Sequence, residues 1–180
     1  MAYIIIDLEA TCWNPNSVQY EQEIIEIGAV YLDSFLTPVK QFSKLVRPVK
    51  NPQISLYCKQ LTGLQQIDLD KAKDFKFVIE AFLDWSSHQE NNGVFYTWGS
   101  KDLKLIKDDC RNHRMDCDWI NGLVDLKPQY AKIKNLPKPV GLDKALKIEN
   151  IEFEGGRHRA LPDASNLAKL FIKLFEHWDK

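Results

Sequence analysis

The stretch IIIDLEATCW, residues 4–13, sets two carboxylates inside a run that otherwise reads as the buried strand of a small domain. Side chains two apart on a strand point to one face, so Asp7 and Glu9 project together while Ile4, Ile6 and Leu8 face the other way. Like charges side by side repel. In a poorly hydrated site one of them takes up a proton or both need a cation, and a divalent ion is the partner that keeps both ionised. Hard oxygen ligands favour magnesium, manganese or calcium over zinc. The same spacing also fits acids at a solvated strand end or acids paired with distant lysines, and the pair alone leaves these readings open.

Charge distribution bears on the choice. The first 39 residues hold Asp7, Glu9, Glu21, Glu23, Glu26 and Asp33 but no Lys or Arg, so buried acids there have no basic partner nearby in sequence. Residues 44–63 carry four bases and no acid, and residues 127–149 hold six lysines against Asp143 and Glu149. These stretches suit either a phosphate-friendly rim around an acidic centre or an ordinary solvated surface. The formal net charge of −1 gives no bulk attraction for nucleic acid or membrane, so a polyanion has to be held locally.

With 180 residues and 44% hydrophobic content, the chain suits a single domain spanning 1–180 whose core folds without staples. Cys12, Cys58, Cys110 and Cys117 are scattered with no CxxC pair, and the apolar run near the N-terminus is too short for a signal peptide. A reducing cytoplasmic setting is expected. No segment approaches the ~20 apolar residues of a membrane span, so no membrane partner is expected.

Short Ile/Val/Tyr-rich or alternating runs predict strands at 2–9, 24–32, 41–47 and 93–98, with another near 118–124. Helical spacing appears in Phe75, Val78, Ile79, Phe82 and Leu83, and again in Leu103, Ile106 and Cys110 after Ser100, a good N-cap. The stripe Ala164, Leu167, Ala168, Phe171, Leu174, Phe175 and Trp178 predicts a C-terminal helix, and short helices are expected within 126–149. Three antiparallel-type strands followed by alternating helices and strands imply an α/β sheet packed by helices, with strand 1 central.

Further acids fall at telling places. Asp102 opens the helix after the fourth strand, at the carboxyl edge where open α/β sheets place ligands, though an acid there also simply offsets the helix dipole. Asp163 opens the C-terminal helix and has the same two readings. His158 lies upstream in a loop that Gly155 and Gly156 allow to turn sharply; it reads either as a solvated surface histidine or, beside a candidate metal ligand, as a residue that handles a proton. Cys110, His113 and Cys117 give C-x₂-H-x₃-C without an evident fourth zinc ligand. No GxSxG, Walker loop or GxGxxG occurs, so serine hydrolases, nucleotide triphosphatases and dinucleotide enzymes have no support.

DxE in the first strand, Asp102 after a later strand and HRALPDA (158–164) before the last helix together resemble the DEDDh 3′-to-5′ exonucleases of the DnaQ-like, ribonuclease H-like fold. Within them the chain is most similar to the enhancer-of-RNA-interference and histone-mRNA exonuclease group. RPVKNPQISLYCKQLTGLQQIDLDKA (47–72), WGSKDLK (98–104) and GRHRALPDA (156–164) carry that similarity, which spans nearly the whole chain. It implies a five-stranded mixed sheet flanked by helices, with Asp7, Glu9, Asp102 and Asp163 as ligands of two Mg2+ or Mn2+ ions and His158 as general base. The implied reaction is two-metal hydrolysis at single-stranded RNA or DNA 3′ ends, RNA favoured, releasing 5′-nucleoside monophosphates.

The resemblance also implies substrate contacts: the backbone at Ala10 and Thr11 beside the terminal ribose, Leu61 and Thr62 shaping the nucleotide pocket, and Tyr57 stacking on a base or packing its helix. Where that group commonly has an aromatic before the third acid, this chain has Lys101, which suits a phosphate contact or a different substrate preference instead of stacking. Trp13 reads as core or loop packing. Two rival functions remain, a nucleic-acid-binding module without turnover and an endonuclease of the same broad fold.

Overall fold

Residues 2–86 and 93–179 are described by a computed structural model. Strand β1 (Tyr3–Ala10) lies at the centre of a five-stranded mixed sheet of order β3-β2-β1-β4-β5. It pairs antiparallel with β2 (Ile24–Leu32), which pairs antiparallel with β3 (Pro38–Leu45). On the other side it pairs parallel with β4 (Val94–Thr97), itself parallel to β5 (Val124–Asp125). The expected central position of strand 1 holds, and its consequence is burial on both faces: Ile4, Ile5 and Ile6 are at most 1% exposed.

Among the described residues seven helices flank the sheet: α1 (Leu56–Thr62), α2 (Gln66–Lys71), α3 (Phe75–Ser86), α4 (Ser100–Asn112), α5 (Leu126–Ile133), α6 (Leu142–Ile148) and α7 (Ala160–Lys173). Alternation along β1 divides the core. Ile4, Ile6 and Leu8 pack with Phe75, Ile79 and Phe82 of α3 and Ile106 of α4. Tyr3 and Ile5 pack on the opposite face with Tyr130 of α5, Leu146 of α6 and Leu167 and Phe171 of α7. Asp7 and Glu9 continue this second face beyond its apolar part. Among the described residues no helix is long and apolar enough to cross a membrane.

The strand expected near 118–124 is corrected. Asp118–Ile120 form a 3₁₀ turn, and strand pairing begins only at Val124. The apolar residues there are plugs: Ile120 is buried with Ile106 and Cys110, and the Trp119 ring meets Phe95 edge-on at 5.4 Å. Two helices without strong sequence periodicity, α1 and α2, fill the segment after the prolines. Ser55 caps α1 by accepting the Cys58 N–H, and Gly63 ends it in the left-handed region with φ 72°.

Candidate active site

β1 and β4 run parallel, so their carboxyl ends open on the same edge of the sheet. Asp7 and Glu9 come to that edge on β1, and Asp102 enters it from the first turn of α4, directly after β4. Asp163 enters from the first turn of α7. Carboxylate oxygens of Asp7, Glu9 and Asp163 all lie within 4.8 Å of one another, and all three residues are half-buried. Asp102 stands outside this triad but close enough that its charge acts on Asp7. It is 9% exposed and accepts a hydrogen bond from the Thr97 hydroxyl.

Burial raises the Asp7 carboxyl well above its ordinary range, and Asp102, Asp163, Glu9 and Glu26 push it further the same way. Glu9 is pushed up to about 8 by burial and then by Asp163, Glu26 and Asp102. Burial also brings Asp102 and Asp163 up to about 6, against a lowering hydrogen bond from Thr97 in the first case and the charge of His158 in the second. Among the described residues none of these four carboxylates has a Lys or Arg within ion-pairing distance. A compact, all-carboxylate donor set lacking its own counter-charge fits a hard divalent cation such as Mg2+ or Mn2+.

His158 is exposed on the loop before α7, with φ 57°. That left-handed backbone is uncommon for a residue bearing a Cβ. Its nitrogens are not part of the carboxylate triad; it lines an open cleft of about 270 Å³ together with Asp7 and Asp163. Sequence reading missed the far wall of this cleft, which includes Trp98, Leu142, Asp143, Phe153 and Arg157. Arg157 pairs with Asp143 at 2.9 Å and lies 4.8 Å over the Phe153 ring, which fastens the His158 loop to α6.

The start of α7 is fixed by a contact that sequence reading also missed. Glu26, 1% exposed, accepts two hydrogen bonds from Arg159 Nε, one from Arg159 Nη2 at 2.8 Å and one from the Ala160 N–H at 3.1 Å. Two residues along β2, Gly28 leaves room for the helix: a Cβ there would come 2.1 Å from the Ala160 carbonyl carbon. These two positions of β2 hold Arg159 and Ala160, between His158 and Asp163. An unbroken acid in a strand and a glycine two residues on was the available signal.

The remaining residues singled out from the sequence have varied fates. Thr11 is 1% exposed and fully engaged: its N–H donates to the Glu23 carbonyl, its hydroxyl accepts from the Glu23 N–H, and its carbonyl accepts from Gln22. Thr62 is 2% exposed and its hydroxyl donates to the Cys58 carbonyl inside α1, so it faces inward. Tyr57 and Leu61 are half-buried on α1, one turn apart on one face. Ala10 is buried at the exit of β1, and Lys101 is exposed beside Asp102. Trp13 is half-buried and packs on Tyr20 at 5.2 Å, as loop packing requires.

A family model described as Exonuclease (RNase_T) matches residues 4–171. Human ERI1 exoribonuclease 2 is 32% identical over 193 residues, covering 95% of this chain and 28% of the human protein. The 3'-5' exonuclease eri1 of Schizosaccharomyces pombe is 30% identical over 199 residues, covering 95% of this chain and 67% of the yeast protein. The chain thus corresponds to a part of each of these relatives. Among solved structures, the nuclease domain of 3'hExo, a DEDDh family member bound to rAMP, superposes with a TM-score of 0.91 at 28% identity, over 97% of this chain and 92% of that one. The fold is accordingly ribonuclease H-like. The chain belongs to the exonuclease family, on its DEDDh branch with the ERI1 and histone-mRNA 3'-exonucleases.

Proposed function

We propose that this chain removes nucleotides one at a time from the 3′ ends of single-stranded nucleic acid, RNA in preference to DNA, releasing 5′-nucleoside monophosphates. The observation that carries this reading is the convergence of the Asp7, Glu9 and Asp163 carboxylates within 4.8 Å at one edge of the sheet. Asp102 stands behind them and His158 at the rim of the same cleft. The named activities of the relatives, exoribonucleases and 3'-5' exonucleases, agree with it.

Asp7, Glu9, Asp163 and Asp102 would hold two Mg2+ or Mn2+ ions. When bound, these supply Lewis acidity that activates water and neutralises charge developing on the phosphate. His158 serves as general base and takes the proton of the attacking water, a role suited to an imidazole on an exposed loop at the rim of the cleft. Tyr57 and Leu61 give the terminal base an apolar wall one helical turn long, with the Ala10 backbone beside the ribose and Thr11 and Thr62 supporting from within. Lys101 offers an ammonium to a substrate phosphate where a stacking ring is absent.

The test is digestion of 5′-labelled single-stranded RNA and DNA oligomers with Mg2+ or Mn2+, alongside 3′-blocked and circular controls. A ladder receding from the free 3′ end, faster on RNA, with blocked and circular substrates untouched, is expected. Tight RNA binding without mononucleotide release would replace this reading with a binding module, and cuts in the circle would make the chain an endonuclease.

A further inference from the structure

Two cysteines meet beside the carboxylate cluster and have no part in the chemistry proposed above. Cys12 follows the exit of β1, and Cys58 sits in the first turn of α1. Cys12 packs against the buried cluster that contains Cys58. The pair is held from outside by Ser55, whose hydroxyl donates to the Cys12 carbonyl at 2.6 Å and accepts the Cys58 N–H at 3.0 Å. Cys58 Sγ is also 3.8 Å from the Ala10 carbonyl oxygen. Cys58 is fully buried, whereas Cys12 is half-exposed. Of the two residues, only Cys12 retains contact with solvent.

We propose that Cys12 and Cys58 form an oxidative modification site, at which a low-molecular-weight disulfide such as oxidised glutathione converts the two thiols into an intramolecular disulfide. Cys12 sulfur attacks the glutathione disulfide, forming a mixed disulfide and expelling one glutathione thiolate. Cys58 thiolate then attacks the Cys12 sulfur and expels the second. Two protein thiols are oxidised, one glutathione disulfide is reduced, and the two thiol protons end on the two glutathiones released. Bonded sulfurs lie about 2.05 Å apart, closer than any hydrogen-bonded pair, so the link draws α1 toward the exit of β1. α1 carries Tyr57 and Leu61. Closure therefore narrows the place given above to the terminal nucleotide; this consequence rests on the proposed function, whereas the cross-link itself does not.

The experiment treats the 180-residue chain with oxidised glutathione, caps remaining thiols with an alkylating agent, and maps peptides by mass spectrometry without reduction. Mononucleotide release from RNA with Mn2+ is read on the same samples before and after dithiothreitol. A Cys12–Cys58 linked peptide is expected, lighter by two hydrogens and reversible, with release at least fivefold lower while the link persists. A Cys110→Ser variant should behave identically, and Cys12→Ser, a substitution at a half-exposed position, should form no link and keep its activity under oxidant. Glutathione left on Cys12 with Cys58 alkylated, or a link confined to Cys110 and Cys117, would overturn the proposal. Undiminished release from the linked chain would overturn the closure of the pocket. A link that forms in a chain releasing no mononucleotide even when reduced would uphold the modification site and remove only the proposed function.

Discussion

Glu9 is the residue where the strand and its chemistry conflict most plainly: burial and three neighbouring acids push its carboxyl up to about 8, and among the described residues no basic side chain makes an ion pair with it. A folded-state pKa above the unfolded value means that the native chain binds the proton more tightly. Without metal, stability then falls as pH rises from about 4.5 through about 8, by up to ~1.4 kcal/mol per pH unit for each such group. Asp102 and Asp163 add to the loss over the lower part of that window, since each reaches about 6. Melting curves of the metal-free chain should therefore give a Tm that drops between pH 5 and pH 8, with a shallower drop in Glu9→Gln. A Tm that is level or rising over that range would contradict the electrostatics of the cluster. His158 has a separate prediction. His158→Ala should slow mononucleotide release by roughly 10² to 10⁴ with folding intact, and a loss under threefold would take it out of the base role. Asp7 and Glu9 were legible in the sequence because a spacing of two fixes a shared face in any strand. Glu26 was not, because its partner Arg159 lies 133 positions on and only the folded sheet brings them together.

At the scale of elements, the site depends on where α7 begins. Its buried residues Ala160, Ala164, Leu167, Ala168 and Phe171 recur at helical spacing, which made the helix legible. Its exact seat is set by Glu26 and Gly28 of β2. Gly28→Ala should cost ~1–3 kcal/mol through overpacking against the Ala160 backbone, and it should lower kcat by displacing Asp163 and His158. Glu26→Gln keeps the shape but removes the charge facing Arg159; a stability loss of ~1–3 kcal/mol is expected, with kcat falling more than KM rises. Denaturant titration and steady-state kinetics on both variants check this, and unchanged kcat in both would show that β2 does not position the catalytic turn. The segment 118–124 shows the opposite limit of sequence reading. Its apolar residues serve core packing in a 3₁₀ turn, and short apolar runs look alike whether they pair as strands or plug a core. α1 and α2 escaped for a related reason: at seven and six residues they are too short to display a period, and only α1 has the Ser55 and Gly63 caps to mark its ends.

Across the whole molecule, the order β3-β2-β1-β4-β5 converts scattered sequence positions into one edge. A central strand gives Asp7 and Glu9, a parallel neighbour delivers Asp102, and the last helix returns over β2 to add Asp163. The sequence order of acids and histidine was enough to name the likeness, whereas the cleft wall of Trp98, Asp143, Phe153 and Arg157 needed the fold. The net charge of −1 makes this arrangement costly in isolation: a near-neutral chain gathers four acids at one edge, and among the described residues no Lys or Arg forms an ion pair with them. A divalent cation would resolve that conflict, and its binding would displace protons held by the raised carboxyls. The most direct test is calorimetric titration of the metal-free chain with Mn2+ at pH 6.5 in buffers of different ionisation enthalpy. Saturable binding with proton release, abolished in Asp7→Asn, is the predicted result; no saturable binding, or equal binding by Asp7→Asn, would contradict it.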